Sequence, residues 1–101
     1  MILLTKKIET TGTAENATHY QQSSKQPIEF MQEVMTPSQF EGFLIGNIIK
    51  YRMRAKYKGK YEEDIRKANQ YNYWLDLFKQ GVIINPTKDT LPKDYIYTGV
   101  F

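Results

Sequence analysis

The chain reads as a mostly α protein: a compact three-helix domain with a flexible N-terminal arm and an irregular or short-strand C-terminal tail. Three observations predict it. Apolar residues recur at helical spacing in three consecutive segments. Pro27 and Pro37 stand where a helix tolerates proline best, at its first turn. Gly59 and Gly81 stand where helices commonly end, in the left-handed conformation that glycine adopts without penalty. The expected helices cover about 27–35, 37–58 and 61–80. With 101 residues in all, the chain fits one domain with a modest core.

Each element has its own local reason. Residues 1–18 are rich in Thr, Lys and Ala without a sustained period, and read as a flexible arm. Pro27 opens the first helix, with Glu29 near the positive end of its dipole. Ile28, Met31 and Met35 make its apolar stripe, with Phe30 and Val34 beside them. The second helix has the strongest start signal: Thr36 as N-cap, Pro37 at the first helical position and Gln39 completing a capping box. Leu44, Ile48, Tyr51 and Ala55 form its stripe, widened by Ile45 and Ile49. Glu62, Glu63 and Asp64 occupy the first turn of the third helix, where each acid is favoured by roughly 0.3–1 kcal/mol. Beyond Gly81, Pro86 and Pro92 rule out one long helix. The aromatic and β-branched run Tyr95 to Phe101 suits a short strand or packing on a neighbouring subunit.

Composition narrows the function classes. The chain has no cysteine, which removes disulfides and thiolate metal sites. Met1-Ile2-Leu3-Leu4 is too short for a signal core and precedes Lys6-Lys7 in the wrong order. No apolar stretch approaches a membrane span. The expectation is a cytoplasmic protein without a membrane partner. A net charge of +3 permits anionic ligands and does not call for nucleic acid. Eight Tyr, five Phe and one Trp are much aromatic bulk for so small a chain, and favour a homo-oligomer in which a second copy covers what one cannot bury.

The residues that draw attention lie on two consecutive helices. At about 100° per residue, Asn47, Lys50, Arg54 and Lys58 share one ridge of the second helix, with Tyr51 beside them. Asp64, Lys67 and Tyr71 lie along the line that continues into Trp74, Leu75 and Phe78. Polar groups that prolong a core-seeking face suggest a cationic pocket between the helices, and a cationic pocket suits a phosphorylated ligand. The plainer alternative is a solvated basic face. Gly42 and Gly46 weigh against it, because a glycine inside a helix costs about 1 kcal/mol relative to Ala unless something must approach the backbone.

For Asp64 and Lys67 the local reading is an i,i+3 pair at the helix start. The functional reading has Asp64 orienting Lys50 or Arg54, or accepting a sugar hydroxyl. Tyr71 and Trp74 offer faces on which a base can stack, with core packing the stronger role for Trp74. Glu29 and Glu33, set against Glu62, Glu63 and Asp64, only faintly resemble the paired carboxylates of helical magnesium-dependent nucleotide pyrophosphohydrolases. No phosphate-loop, dinucleotide or zinc motif is present, and no metal ligand is assigned.

The string His19-Tyr20, Pro27-Ile28-Glu29-Phe30, Phe43-Leu44-x-Gly46-Asn47-x-x-Lys50-Tyr51-x-x-Arg54, Lys58-Gly59, Asp64, Lys67-Ala68 and Tyr71 resembles a small, mostly uncharacterised phage domain family. That family includes the nucleotide kinase of T7-like phages, which lacks a standard phosphate loop. The resemblance implies a phage protein acting in the host cytoplasm on nucleotides. It makes His19, Lys50, Arg54 and Asp64 the candidate catalytic residues. Tyr20, Glu29, Asn47, Tyr51, Lys58, Lys67 and Tyr71 become the candidate nucleotide-binding residues. A kinase would take ATP and Mg as its cofactors and a nucleotide or other phosphorylated small molecule as its partner. The domain organisation that follows is an arm over 1–18, a helical nucleotide-binding-like domain over 19–81 and a tail over 82–101 that packs on the domain or on a neighbouring subunit. Two rival readings stand beside the kinase: a non-catalytic protein that sequesters a nucleotide against host defence, and a protein–protein inhibitor of a host enzyme.

Overall fold

Where the chain enters its first helix, Pro27 presets the backbone and the Gln26 amide N–H donates to Glu29 Oε1 at 2.7 Å, satisfying a group that no helical carbonyl can reach. The computed structural model of the protein describes residues 25–57 and 59–97, and within them three helices: α1 (Pro27–Val34), α2 (Pro37–Tyr57) and α3 (Tyr61–Lys79). The expected arm over 1–18, His19, Tyr20, Lys58 and the last residues from Thr98 to Phe101 lie outside the described residues.

α2 begins on a reciprocal capping box. The Thr36 N–H donates to Gln39 Oε1 at 2.9 Å, and the Gln39 N–H donates to Thr36 Oγ1 at 3.2 Å. α3 ends in a Schellman motif. Gly81 has φ +82°, its N–H donates to the Phe78 carbonyl at 3.0 Å, and the Val82 N–H donates to the Leu77 carbonyl at 3.0 Å. Gly59, at φ +76°, turns the chain between α2 and α3. All three helices fall within a residue or so of the expected bounds, because their start and stop signals are local chemistry.

Packing is concentrated between α2 and α3, with α1 laid more lightly on α2. The core gathers Ile28, Phe40, Leu44, Ile48, Leu75 and Ile84. Met31, Met35, Phe43, Tyr71, Trp74 and Phe78 flank it half-buried. Phe40 is central although it lies outside the expected stripe, and its ring meets Phe43 at 6.1 Å and Phe78 at 5.7 Å. Ile49, expected to widen the stripe, is exposed, because its position lies about 100° beyond Ile48 on the outer face of α2.

The segment after α3 is irregular, with no strand among its described residues, and it is tied to the helices by side chains. The Gln32 amide pairs with both backbone groups of Ile84: its Nε2 donates to the carbonyl at 2.9 Å and its Oε1 accepts from the N–H at 2.8 Å. Trp74 Nε1 donates to the Asp89 carbonyl at 2.7 Å, and Gln70 grips the Asp89 carbonyl and the Leu91 N–H. Asn72, buried on α3, donates to the Tyr95 hydroxyl at 2.8 Å, and the Arg52 guanidinium lies 3.6 Å from the centre of the Tyr97 ring. Tyr95 and Tyr97 therefore lie against this chain's own helices. No helix among the described residues is long and apolar enough to cross a membrane.

Burial divides the Val82-Ile83-Ile84 run sharply. Ile84→Ala should lower unfolding free energy by about 2–5 kcal/mol, as for a filled core position. Ile83→Ala, at a residue 82% exposed, should change it by no more than about 0.5 kcal/mol. Urea unfolding followed by circular dichroism checks both.

Candidate functional site

The stripe that buries Leu44 and Ile48 leaves Tyr51 half-exposed at its edge, where α2 still faces α3. There its ring stacks on that of Tyr71 from α3, with centroids 6.0 Å apart and planes 14° from parallel. Tyr71 meets Trp74 edge-on at 5.3 Å and Phe43 at 6.0 Å, so the pair is braced from behind by the core. Tyr51 is thus a rigid aromatic platform on the rim of the helix pair.

Three cations gather on that platform. Lys50 Nζ is 4.6 Å from the Tyr51 ring centre, Lys67 Nζ 5.5 Å and the Arg54 guanidinium carbon 5.6 Å. Each cation–π contact contributes about 0.5–1 kcal/mol at an exposed site. Three like charges round one ring also repel one another. Lys67 is partly offset by Glu63, whose Oε2 lies 3.2 Å from its Nζ. Lys50 and Arg54 make no ion pair among the described residues. The rim therefore holds positive charge that its own side chains do not neutralise, and an anion placed over Tyr51 relieves it.

The Glu63–Lys67 pair corrects one expectation. The local reading paired Lys67 with Asp64 at i,i+3, yet Lys67 pairs with Glu63 at i,i+4. Residues four apart differ by about 40° around a helix, against about 60° for three apart, and Glu63 shares the exposed side of α3 with Lys67 while Asp64 turns inward. The hydrogen bond from Lys67, followed by its charge, holds the Glu63 carboxyl below the ordinary range.

Asp64 is the most unusual group near this rim. It is only 2% exposed, one turn before Lys67, and its Oδ2 has no hydrogen-bond partner among the described residues. A buried carboxylate oxygen without a donor is costly. It supplies an acceptor for a hydroxyl, an N–H or a cation brought from elsewhere.

The remaining candidates divide. Asn47, half-buried one turn before Lys50, spends its Nδ2 on the Phe43 carbonyl at 2.9 Å. Glu29 is engaged at the start of α1 and lines a different cleft, with Lys25, Gln32, Glu33 and Asn85. Glu33 pairs with Lys25. His19, Tyr20 and Lys58 lie outside the described residues. Among the described residues nothing lies within 4 Å of a Cβ built on Gly42 or Gly46. Trp74 is committed to the fold through Asp89.

Arg66, which the sequence reading does not single out, borders the rim. Arg66 and Lys67, with Gln70, Thr90 and Leu91, line a shallow cleft where the tail crosses α3. Phe43 supports Tyr71. The adjacency of Arg66 to Lys67 is visible in sequence, but the arrival of Thr90 and Leu91 is not. Among the described residues no group of three or more His, Cys, Asp or Glu side chains gathers as metal ligands.

Residues 14–73, more than half of the chain, match the family described as a protein of unknown function, DUF3310. Over 55 residues the chain is 40% identical to the nucleotide kinase gp1.7 of Escherichia phage T7, a match that takes in 52% of this chain and 28% of that one. It therefore spans little more than a quarter of that relative's length. No solved structure matches.

Burial, reinforced by the neighbouring Tyr51, pushes the Tyr71 phenol above its ordinary value, and burial together with the charge of Asp76 does the same for Tyr95. Both phenols are thus harder to ionise folded than unfolded. The stability this confers is fully present below the unfolded value, about 10, and is lost as pH rises through the raised folded values. Unfolding free energy should fall above about pH 10, and the double variant Tyr71→Phe/Tyr95→Phe should show a shallower fall.

Proposed function

The chain belongs to the DUF3310 family, and we propose that it is a phage-encoded protein that binds a nucleotide through its phosphate on the rim of the α2–α3 pair. The observation that carries this reading is the convergence of Lys50, Arg54 and Lys67 on the Tyr51 ring, with Lys50 and Arg54 lacking carboxylate partners among the described residues. Phosphate is the multivalent anion that such a group of point charges and a guanidinium fork suits best. The stacked Tyr51–Tyr71 pair offers apolar surface beside the cations, where a base can lie. Buried Asp64 offers an acceptor for a sugar hydroxyl.

The similarity to a nucleotide kinase supports a reaction. In it, a phosphate oxygen of a deoxynucleoside monophosphate attacks the terminal phosphorus of ATP. The new P–O bond forms as the bond to the β-phosphate oxygen breaks, and ADP leaves. Such a transfer depends mainly on positioning and on neutralising charge spread over the phosphoryl oxygens. Those are the tasks the proposal assigns to Lys50 and Arg54. Lys67, shared with Glu63, completes the phosphate contact.

Calorimetric titration with deoxythymidine monophosphate tests the binding. Lys50→Ala and Arg54→Ala should each weaken it roughly tenfold or more, since a hydrogen bond to a charged group is worth about 1.5–3 kcal/mol. Helical circular dichroism should be unchanged. Affinity unaltered in both variants would overturn the assignment. Phosphate transfer from ATP to a panel of deoxynucleoside monophosphates then separates the activities: turnover supports a kinase, and binding without turnover supports sequestration.

A further inference from the structure

α2 is apolar on two sides, and the described residues cover only one. Phe40, Leu44, Ile48 and Ala55 enter the interior. On the opposite side, Gly42, Gly46, Ile49, Met53 and Tyr57 recur at spacings of four and three, which sets them in a single stripe along the helix. The three large members stand in solvent: Ile49 is 41% exposed, Met53 59% and Tyr57 77%. Tyr61 and Ile65 of α3 continue this surface beside Ile49 and Met53. The two glycines weaken α2 relative to Ala, and no neighbour among the described residues needs the room they leave. A stripe with flat, small residues at one end and large apolar ones at the other has the form of a helix-packing face without its partner.

We propose that the partner is a second copy of this chain, with the two α2 helices packed antiparallel about a two-fold axis between Ile49 and Lys50. Shape supports that occupant. About that midpoint Gly42 faces Tyr57 of the other copy, Gly46 faces its Met53, and the two Ile49 side chains meet near the axis. Tyr57 and Met53 each fall on a glycine, so one patch is complementary to itself, as a two-fold interface requires. Charge supports the direction. The second half of α2 carries Lys50, Arg52, Arg54 and Lys56, whereas residues 37–49 carry Glu41 as their single charged side chain. A parallel pair sets four cations beside four. An antiparallel pair sets each cationic half beside the half that holds only an acid, and opposes the helix dipoles as well.

The chain contains no cysteine, so introduced cysteines report the geometry directly. Sedimentation equilibrium of the full chain at high micromolar concentration should give twice the single-chain mass. Met53→Glu should return the single-chain mass with helical circular dichroism unchanged. Under mild oxidation, Ile49→Cys should cross-link to its own copy in most molecules. Gly42→Cys should not, because its symmetry mate lies about 22 Å away along the helix axis, far beyond disulfide reach. An equimolar mixture of Gly42→Cys and Tyr57→Cys should cross-link to each other. A single-chain mass for the unmodified protein, a dimer that survives Met53→Glu, or efficient self-cross-linking of Gly42→Cys would each overturn the proposal.

Discussion

Burial of Leu44 and Ile48 against Leu75 is the contact on which the rest of the molecule depends. It locks α2 and α3 side by side and, together with Ile28 and Ile84, closes a core that neither helix can form alone. Ala55 and Ala68, both buried, leave little side-chain bulk between the helices near the Gly59 turn. A helix of this length is marginal by itself. The apolar face supplies the stability that lets α2 carry two glycines and a run of cations. Stability here is what positions charge.

The tail takes part in the same construction. Gln32 pairs with both backbone groups of Ile84, so a core residue from beyond α3 is buried without orphaning its amide. Gln70 and Trp74 then fix Asp89 and Leu91 against α3, next to Lys67. The rim that gathers cations is bordered by a segment held in place by hydrogen bonds from the helix presenting them. Tyr51 lies where these arrangements meet, stacked on Tyr71 and ringed by Lys50, Arg54 and Lys67. Lys50 and Arg54, which make no ion pair among the described residues, oppose folding slightly there and favour an anion.

Helix positions were legible in sequence because their determinants are local: a proline at a first turn, the Thr36/Gln39 box, and glycines at positive φ. The alignment of Asn47, Lys50 and Arg54 on one ridge, with Tyr51 beside them, was legible for the same reason, since three and four residues are fixed angular steps. What needed the structure was every contact between distant segments. Periodicity cannot show that Tyr51 stacks on Tyr71, that Lys67 reaches the same ring while pairing with Glu63, or that one oxygen of Asp64 has no partner among the described residues. Nor can it separate Ile84, which is core, from Ile83, which is solvent, because neighbouring positions in an irregular segment follow no period. Ile49 was misread for a related reason: on a helix with two apolar sides, the pattern alone does not say which side the rest of the chain covers.

If the Tyr51 platform and its cations form an anion site, a bound nucleotide should be mapped to them residue by residue. In a titration of the isotopically labelled full chain with deoxythymidine monophosphate, followed by nuclear magnetic resonance, the largest saturable shifts should fall on Lys50, Tyr51, Arg54, Lys67 and Tyr71. Saturable shifts centred instead on the apolar cleft of Met35, Phe40 and Ile83, or no saturable shift at the Tyr51 rim, would contradict the account.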